Sequence, residues 1–239
     1  MITYPPLNVL KPVGDRIWSV DSGPLHAGGV IPLPVRMTVM QLADGDLLLH
    51  SPTCCDARLR NELVKLGSVR HLVAPNSAHW SFIKDWKAHF PDALAWSAPG
   101  LRKRRQVKRA AIAWHDDLGA SSQALWAPEI EQIEVPGIGG FREICFFHRP
   151  SGSLILTDLV QNLDREHTSA PMRVFSGLVG AQEKAPVYLR LVVKLKGKDA
   201  RDAAGRLVSL QPERVIFSHG AWFEDDAAAR LRKSLNWLI

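Results

Sequence analysis

Arg70-His71-Leu72-Val73-Ala74-Pro75-Asn76-Ser77-Ala78-His79 is the segment from which the fold can be read. Its first half is a short apolar run closed by proline, which reads as a buried strand over Arg70–Pro75. Its second half is small and polar and ends in an imidazole, so a loop carrying chemistry follows the strand directly. On the N-terminal side, Leu59, Leu63 and Leu66 share one face of a helix predicted over Asp56–Leu66, with Gly67 as its stop. On the C-terminal side, Phe82, Trp86 and Phe90 recur every four residues, which predicts a helix from His79 to Phe90 ended by Pro91. Ala93–Trp96 is the next short strand. Strand and helix alternate, which argues for parallel pairing with helices laid on the sheet.

Further out, Arg16–Val20, Met37–Leu42 and Asp46–His50 read as strands, the last two joined by a tight turn at Ala43-Asp44-Gly45. The second half repeats the plan. Strands are predicted at Ile130–Val135, Glu143–Phe147 and Ser153–Asp158, with a turn at Arg149-Pro150-Ser151-Gly152. Helices are predicted at Glu166–Leu178, Val187–Lys196 and Asp199–Leu207, then a strand at Arg214–Ser218 and a closing amphipathic helix at Asp225–Leu238. Two halves that each begin with hairpin strands and end in strand–helix units permit a four-layer αββα sandwich of the α/β class.

A chain of 239 residues, 46% of them hydrophobic, suits one domain spanning 1–239 with a substantial core. Among the eight Trp, several are expected at core edges or around a pocket, where each N–H finds a partner. Three Cys (Cys54, Cys55, Cys145) form no disulfide framework. The residues around Met1 lack the charged start and apolar run of a signal peptide, and no apolar stretch reaches membrane-spanning length. The expectation is a cytoplasmic protein. Net charge is +6, much of it in Arg102-Lys103-Arg104-Arg105 with Lys108-Arg109. Such a run can hold the phosphates of a nucleic acid. It carries no interleaved aromatics for base stacking, and it reads equally as a solvated helix face.

Three predicted strands end in residues that chemistry uses: Asn76 to His79, Asp158, and His219-Gly220. In open α/β sheets sites gather at the carboxyl ends of strands, so two imidazoles and one carboxylate can converge on one ion. Taken singly, His79 is also a helix cap, Asp158 a turn residue and His219 a satisfied structural histidine. Cys54-Cys55 close to His50 has no neighbour that stabilises a thiolate. Ser218-His219 lacks a nucleophile elbow, and no P-loop or dinucleotide fingerprint occurs.

The order of these segments resembles the metallo-β-lactamase superfamily from about Val9 to Asn236. Ile155-Leu156-Thr157-Asp158 resembles its late strand ending in a metal-bridging Asp. Val215-Ile216-Phe217-Ser218-His219-Gly220 resembles its final strand and last His ligand. Val135-Pro136-Gly137-Ile138-Gly139-Gly140 sits where the superfamily has a Gly-His-Thr-type turn. Leu72 to His79 sits where it has His-x-His-x-Asp-His. The Pro-Asn-x-x-His variant resembles a bacterial branch of that superfamily. Measured against the family pattern, Ala74 and Asn76 replace two histidines, Ala78 an aspartate and Ile138 a histidine. The three-His first site is therefore gone, and the second keeps His79, Asp158 and His219. The missing Asp is both ligand and proton acceptor in the wider superfamily, which puts ordinary hydrolysis in doubt.

The resemblance implies one Zn or Fe ion on His79, Asp158 and His219, with a water in an open position. Asn76 would orient that water or a substrate carbonyl. His50, at a strand end where relatives carry a supporting Asp, reads as a supporting residue, a fourth ligand or a structural histidine. Trp80 and Trp222, each close in sequence to a candidate ligand, either line the pocket or pack in the core. The implied activity is metal-dependent hydrolysis of a small-molecule ester, thioester, amide or phosphoester. The alternative is a metal-free, non-catalytic relative that binds a ligand or serves as a scaffold.

Overall fold

The computed structural model describes residues 4–27, 31–163 and 182–239. The helix expected over Glu166–Leu178 lies outside these residues. The first half forms a seven-stranded sheet in the order β1-β2-β3-β4-β5-β6-β7. Its strands are β1 (Lys11–Gly14), β2 (Ile17–Ala27), β3 (Ile31–Gln41), β4 (Asp46–His50), β5 (Ser68–Ala74), β6 (Leu94–Ser97) and β7 (Asp116–Asp117). Pairing is antiparallel from β1 to β4 and parallel from β4 to β7. The second half forms a four-stranded sheet from β8 (Ile130–Pro136), β9 (Arg142–His148), β10 (Ser153–Ile155) and β11 (Arg214–Ile216), in the order β11-β10-β9-β8. The turn at Ala43-Asp44-Gly45 forms as expected, with Gly45 at φ 89°.

Side-chain alternation along the strands builds the four layers. Leu48, Val73, Phe146, Ile155 and Ile216 point between the two sheets, where they meet Trp96 and Trp126. Their neighbours Leu47, Leu49, Leu72 and Ala74 point the other way, onto Leu59, Leu63, Ile83, Trp86 and Val107. These come from the helices α1 (Ala57–Leu66), α2 (Ile83–His89) and α3 (Arg105–Ala110). On the far face of the second sheet, Cys145, Leu154, Val215 and Phe217 pack on Leu189, Val193, Leu207 and Leu231. These belong to α5 (Val187–Lys194), α6 (Lys198–Ser209) and α7 (Ala227–Leu235), while α4 (Ala120–Trp126) brings Trp126 into the inter-sheet layer. Burial of each Leu-sized side chain contributes about 1.5–3 kcal/mol, so strands covered on both faces hold the sheets together.

Two differences from the sequence-based expectations have local causes. The helix expected from His79 begins at Ile83, because Asn76 ties the preceding residues into a turn. Helix α4 and strands β1 and β7 carry no signal in the sequence, being short and without a sustained apolar period. Of the Trp side chains, Trp18, Trp80, Trp114, Trp222 and Trp237 are half-buried at core edges, as expected for several of them, while Trp86, Trp96 and Trp126 are fully buried.

Three buried histidines of depressed pKa make the fold sensitive to acid: His50, which burial pushes down to about 3, and the pair His71 and His148. His71 Nδ1 accepts a hydrogen bond from Trp96 Nε1 at 3.2 Å, so its neutral form is required. His148 is fully buried, with Nδ1 at 2.8 Å from Ser151 Oγ. Burial foremost, with nearby arginines, pushes both imidazoles down to about 4 from 6.5. Their folded pKa is depressed, so the unfolded chain takes up protons first as pH falls. Their contribution is full above the unfolded value of 6.5 and is lost as pH falls from there towards about 4. The expected loss is on the order of a few kcal/mol. Urea midpoints measured from about pH 7.5 to 4.5 should fall steadily, and a His71→Gln/His148→Gln double variant should make the slope shallower, leaving the part due to His50. A flat wild-type profile would show that these imidazoles ionise freely in the fold.

Candidate metal centre

The site is assembled by the segments that follow β4, β5, β10 and β11. After β5, Asn76 is fully buried. Its Oδ1 accepts the backbone N–H groups of Ala78 at 2.8 Å and His79 at 3.1 Å. Its Nδ2 donates to Thr157 Oγ1 at 2.9 Å and to Asp158 Oδ2 at 2.7 Å. Both donors and both acceptor positions are thus used within the protein. The expectation that Asn76 orients water or a substrate carbonyl is corrected on this ground; Asn76 positions the loop and the carboxylate.

After β10, the backbone N–H groups of Thr157, Asp158 and Leu159 all donate to the carboxylate of Glu143, at 2.7, 2.9 and 3.1 Å. Glu143 lies on β9 and is completely buried. Burial foremost, and then the charge of Asp158, holds its pKa above the ordinary carboxylate value. This anchor aims Asp158 at both candidate imidazoles. Asp158 Oδ2 lies 3.3 Å from His79 Nε2, and Oδ1 lies 3.3 Å from His219 Nε2. Gln161 Nε2 donates to Oδ1 at 3.2 Å. Burial pushes the Asp158 pKa up, but the charges and hydrogen bonds of the two histidines outweigh it and hold the carboxyl well below its usual range.

After β11, His219 Nδ1 donates to the Pro34 carbonyl at 2.7 Å. Burial lowers the basicity of this ring, but the Asp158 hydrogen bond and charge raise it further, so the net direction is upward. Gly220 follows at φ 104°, and a Cβ there would collide with the Asn162 carbonyl oxygen. Only glycine lets the chain turn so closely after the histidine. Two carbonyls of this turn, Phe217 and Gly220, accept from Arg36 Nη1 at 3.0 and 2.6 Å.

After β4, Ser51 Oγ lies 2.6 Å from His79 Nδ1. Both imidazoles are therefore held at Nδ1 and turn Nε2 towards Asp158. That is the arrangement in which Nε2 offers a lone pair to an ion, with the other nitrogen fixing the ring. His79, Asp158 and His219 each offer a ligand atom, all within 4.8 Å of one another. The donor set fits Zn or Fe, with three protein ligands and room for exchangeable ones.

The cluster lies against a cavity of about 350 Å³ whose other walls include Leu33, Val35, Phe82, Phe141 and Leu189. Ala78 lines it as well. Trp80 and Trp222 do not: both are half-buried against the hydrophobic core. Of the two readings for these residues, the pocket role is corrected and core packing holds, since their rings are drawn into apolar packing. His50 is buried with its ring edge-on to Phe146 at 4.9 Å, and it lines no part of the cavity. Burial pushes its pKa down to about 3. Ile138 is exposed in a short 3-10 turn, Ile138–Gly140. Arg102, at the head of the basic run, is engaged by Asp117 at 2.8 Å and Asp116 at 3.1 Å. Glu143, Arg36 and Gln161 escape a reading of the sequence, since none belongs to a motif of fixed spacing. Among the described residues no helix is long and apolar enough to cross a membrane.

Similar solved structures share this architecture. A metallo-β-lactamase from Pontibacter korlensis is 11% identical, with a TM-score of 0.60 over 95% of this chain and 98% of its own. The metallo-β-lactamase FIM-1 from Pseudomonas aeruginosa, in its mono-zinc form, is 13% identical, with a TM-score of 0.58 over 95% and 94%. The chemotaxis sensor ODP, as a peroxy diiron species, is 14% identical, with a TM-score of 0.60 over 96% and 94%. No curated protein matches the sequence. At these identities the likeness establishes the metallo-β-lactamase fold. The model of a domain of unknown function, DUF4336, matches residues 14–186, well over half of the 239. The protein therefore belongs to the DUF4336 family and is built on the metallo-β-lactamase fold.

Proposed function

We propose that the chain works as a single domain and a mononuclear metal-dependent hydrolase, with the ion on His79, Asp158 and His219. The observation that carries this reading is the convergence of the three ligand atoms within 4.8 Å, each imidazole held at its far nitrogen. The mono-zinc and diiron forms of its structural neighbours support Zn or Fe as the candidates. When bound, such an ion supplies Lewis-acid polarisation and lowers the pKa of water. The chain's own part is orientation. Ser51 and the Pro34 carbonyl set the two rings, while Asn76 and Gln161 hold the Asp158 carboxylate between them. The apolar cavity walls desolvate the reacting group of an ester, amide or phosphoester. Ala78 contributes no carboxylate to this wall, so Asp158 is the carboxylate that borders the cavity among its described lining residues.

One observation favours a second, metal-free reading. Asp158 already accepts from Asn76 and Gln161 and contacts both imidazoles, so the cluster is satisfied by protein groups alone.

Metal content by elemental mass spectrometry on tag-free protein separates the two. The metal reading expects about one Zn or Fe per chain, lost in His79→Ala. Free ion at about 100 times its Kd should stabilise the fold by about 2.7 kcal/mol. In a chain of this size that is roughly 5–10 °C in Tm, reversed by a chelator. Protein that takes up no metal and shows no shift with either ion leaves the metal-free reading.

A further inference from the structure

We propose that Ser51 is a nucleophile, activated by His79 and Asp158, which transfers the acyl group of uncharged esters with an apolar acyl chain whenever no ion occupies His79 Nε2. The inference goes beyond the metal-dependent reading and does not need it.

Geometry carries the proposal. Ser51 Oγ lies 2.6 Å from His79 Nδ1, and the opposite ring nitrogen, Nε2, lies 3.3 Å from Asp158 Oδ2. Nucleophile, base and orienting carboxylate are thus in sequence, the logic of an activated serine, with the imidazole used the other way round. The carboxylate is in turn held by Asn76 and Gln161. Asp158 facing Nε2 favours the tautomer with its proton on Nε2, which leaves Nδ1 to accept from the serine hydroxyl. Ser51 sits directly after β4 at φ 55°, a left-handed conformation that side chains rarely adopt. Strain of this kind is held where it serves a site, and nucleophile elbows share it. The residue also lines the cavity, together with the apolar walls formed by Leu33, Val35 and Phe82. Those walls suit an acyl chain.

The step balances without a further reagent. Ser51 Oγ attacks the carbonyl carbon as its proton passes to His79 Nδ1. The carbon–oxygen bond to the leaving alcohol breaks, and that alcohol takes the proton from His79. Water then attacks the acyl-serine by the same route, releasing the acid and restoring Ser51. An ion on Nε2 would require the proton on Nδ1, where it could only be donated to Ser51, so metal and serine chemistry exclude each other at this histidine.

The test uses the full chain, freed of metal by dialysis against a chelator and checked by elemental analysis. It is incubated with an alkyl fluorophosphonate, whose phosphorus takes the place of the carbonyl carbon and loses fluoride. Intact-mass and peptide analysis should find one adduct, on Ser51. The adduct should be absent in Ser51→Ala and in Ser51→Gly; glycine is unstrained at a positive φ, so the second variant keeps its fold. His79→Gln should slow labelling by about 100-fold or more. Protein carrying Zn²⁺ should not label. The proposal is overturned by the absence of an adduct on folded, metal-free protein, by an adduct that persists in Ser51→Gly, or by equal labelling of the Zn²⁺-bearing protein. Metal uptake without labelling sinks this inference and leaves the metal reading standing; labelling without metal uptake does the reverse.

Discussion

Arg36→Met is expected to destabilise the protein by about 3–5 kcal/mol, the cost of breaking a buried charge pair from one side. Arg36 is almost wholly buried on β3 and faces Asp21 on β2, its partner in the antiparallel register. Its Nη2 lies 2.6 Å from Asp21 Oδ1, and Nη1 holds the Phe217 and Gly220 carbonyls. One guanidinium therefore ties the first sheet to the turn that leaves the second. Methionine fills similar volume but leaves two carbonyls without their donor and Asp21 with Lys11, 2.8 Å away, as its remaining charged partner. His219 sits inside the same turn, so its ring should also lose its fixed direction. Urea unfolding measures the first effect. An Asp21→Asn/Arg36→Met double variant should cost less than the sum of the single changes, because the two side chains act as one unit. A loss below about 1 kcal/mol in Arg36→Met would mean the pair contributes little beyond packing.

Asp158→Asn is expected to remove metal binding almost entirely, with affinity falling more than about 100-fold, beyond the range seen when only a supporting residue is lost. The substitution keeps the shape and removes the charge. It also places an amide N–H₂ where Asp158 now accepts from Asn76 or Gln161, so donor would face donor. Metal-free stability should drop too, since the carboxylate is held well below its usual pKa range by the two histidines. Isothermal titration with Zn²⁺ and a urea midpoint at neutral pH read the two effects separately. Unchanged Zn²⁺ affinity would place the ion elsewhere and remove Asp158 from the candidate ligand set.

Alternation and strand–helix order are local properties, and both are legible in the amino-acid chain itself. Leu47, Leu48 and Leu49 alternate between the outer and inner layers as a strand covered on both faces must. The strand-end residues His79, Asp158 and His219 are marked by their positions along the chain, and the fold brings them together. The helix expected from His79 starts only at Ile83, because a side chain's hydrogen bonds override apolar spacing over a few residues.

The layering, then, is written into the chain: period-two burial in the strands, amphipathic helices on the outside, and the order that sets strand ends at one edge. These follow from interactions between residues close in sequence. The support of the site arises only in three dimensions. Glu143 anchors a loop fourteen to sixteen residues away, Arg36 reaches carbonyls more than 180 residues away, and Ser51 meets His79 across 28 positions. A buried polar group takes whichever partner the packed sheets bring within about 3 Å. That choice depends on strand register and on the approach of two sheets, which no local pattern encodes.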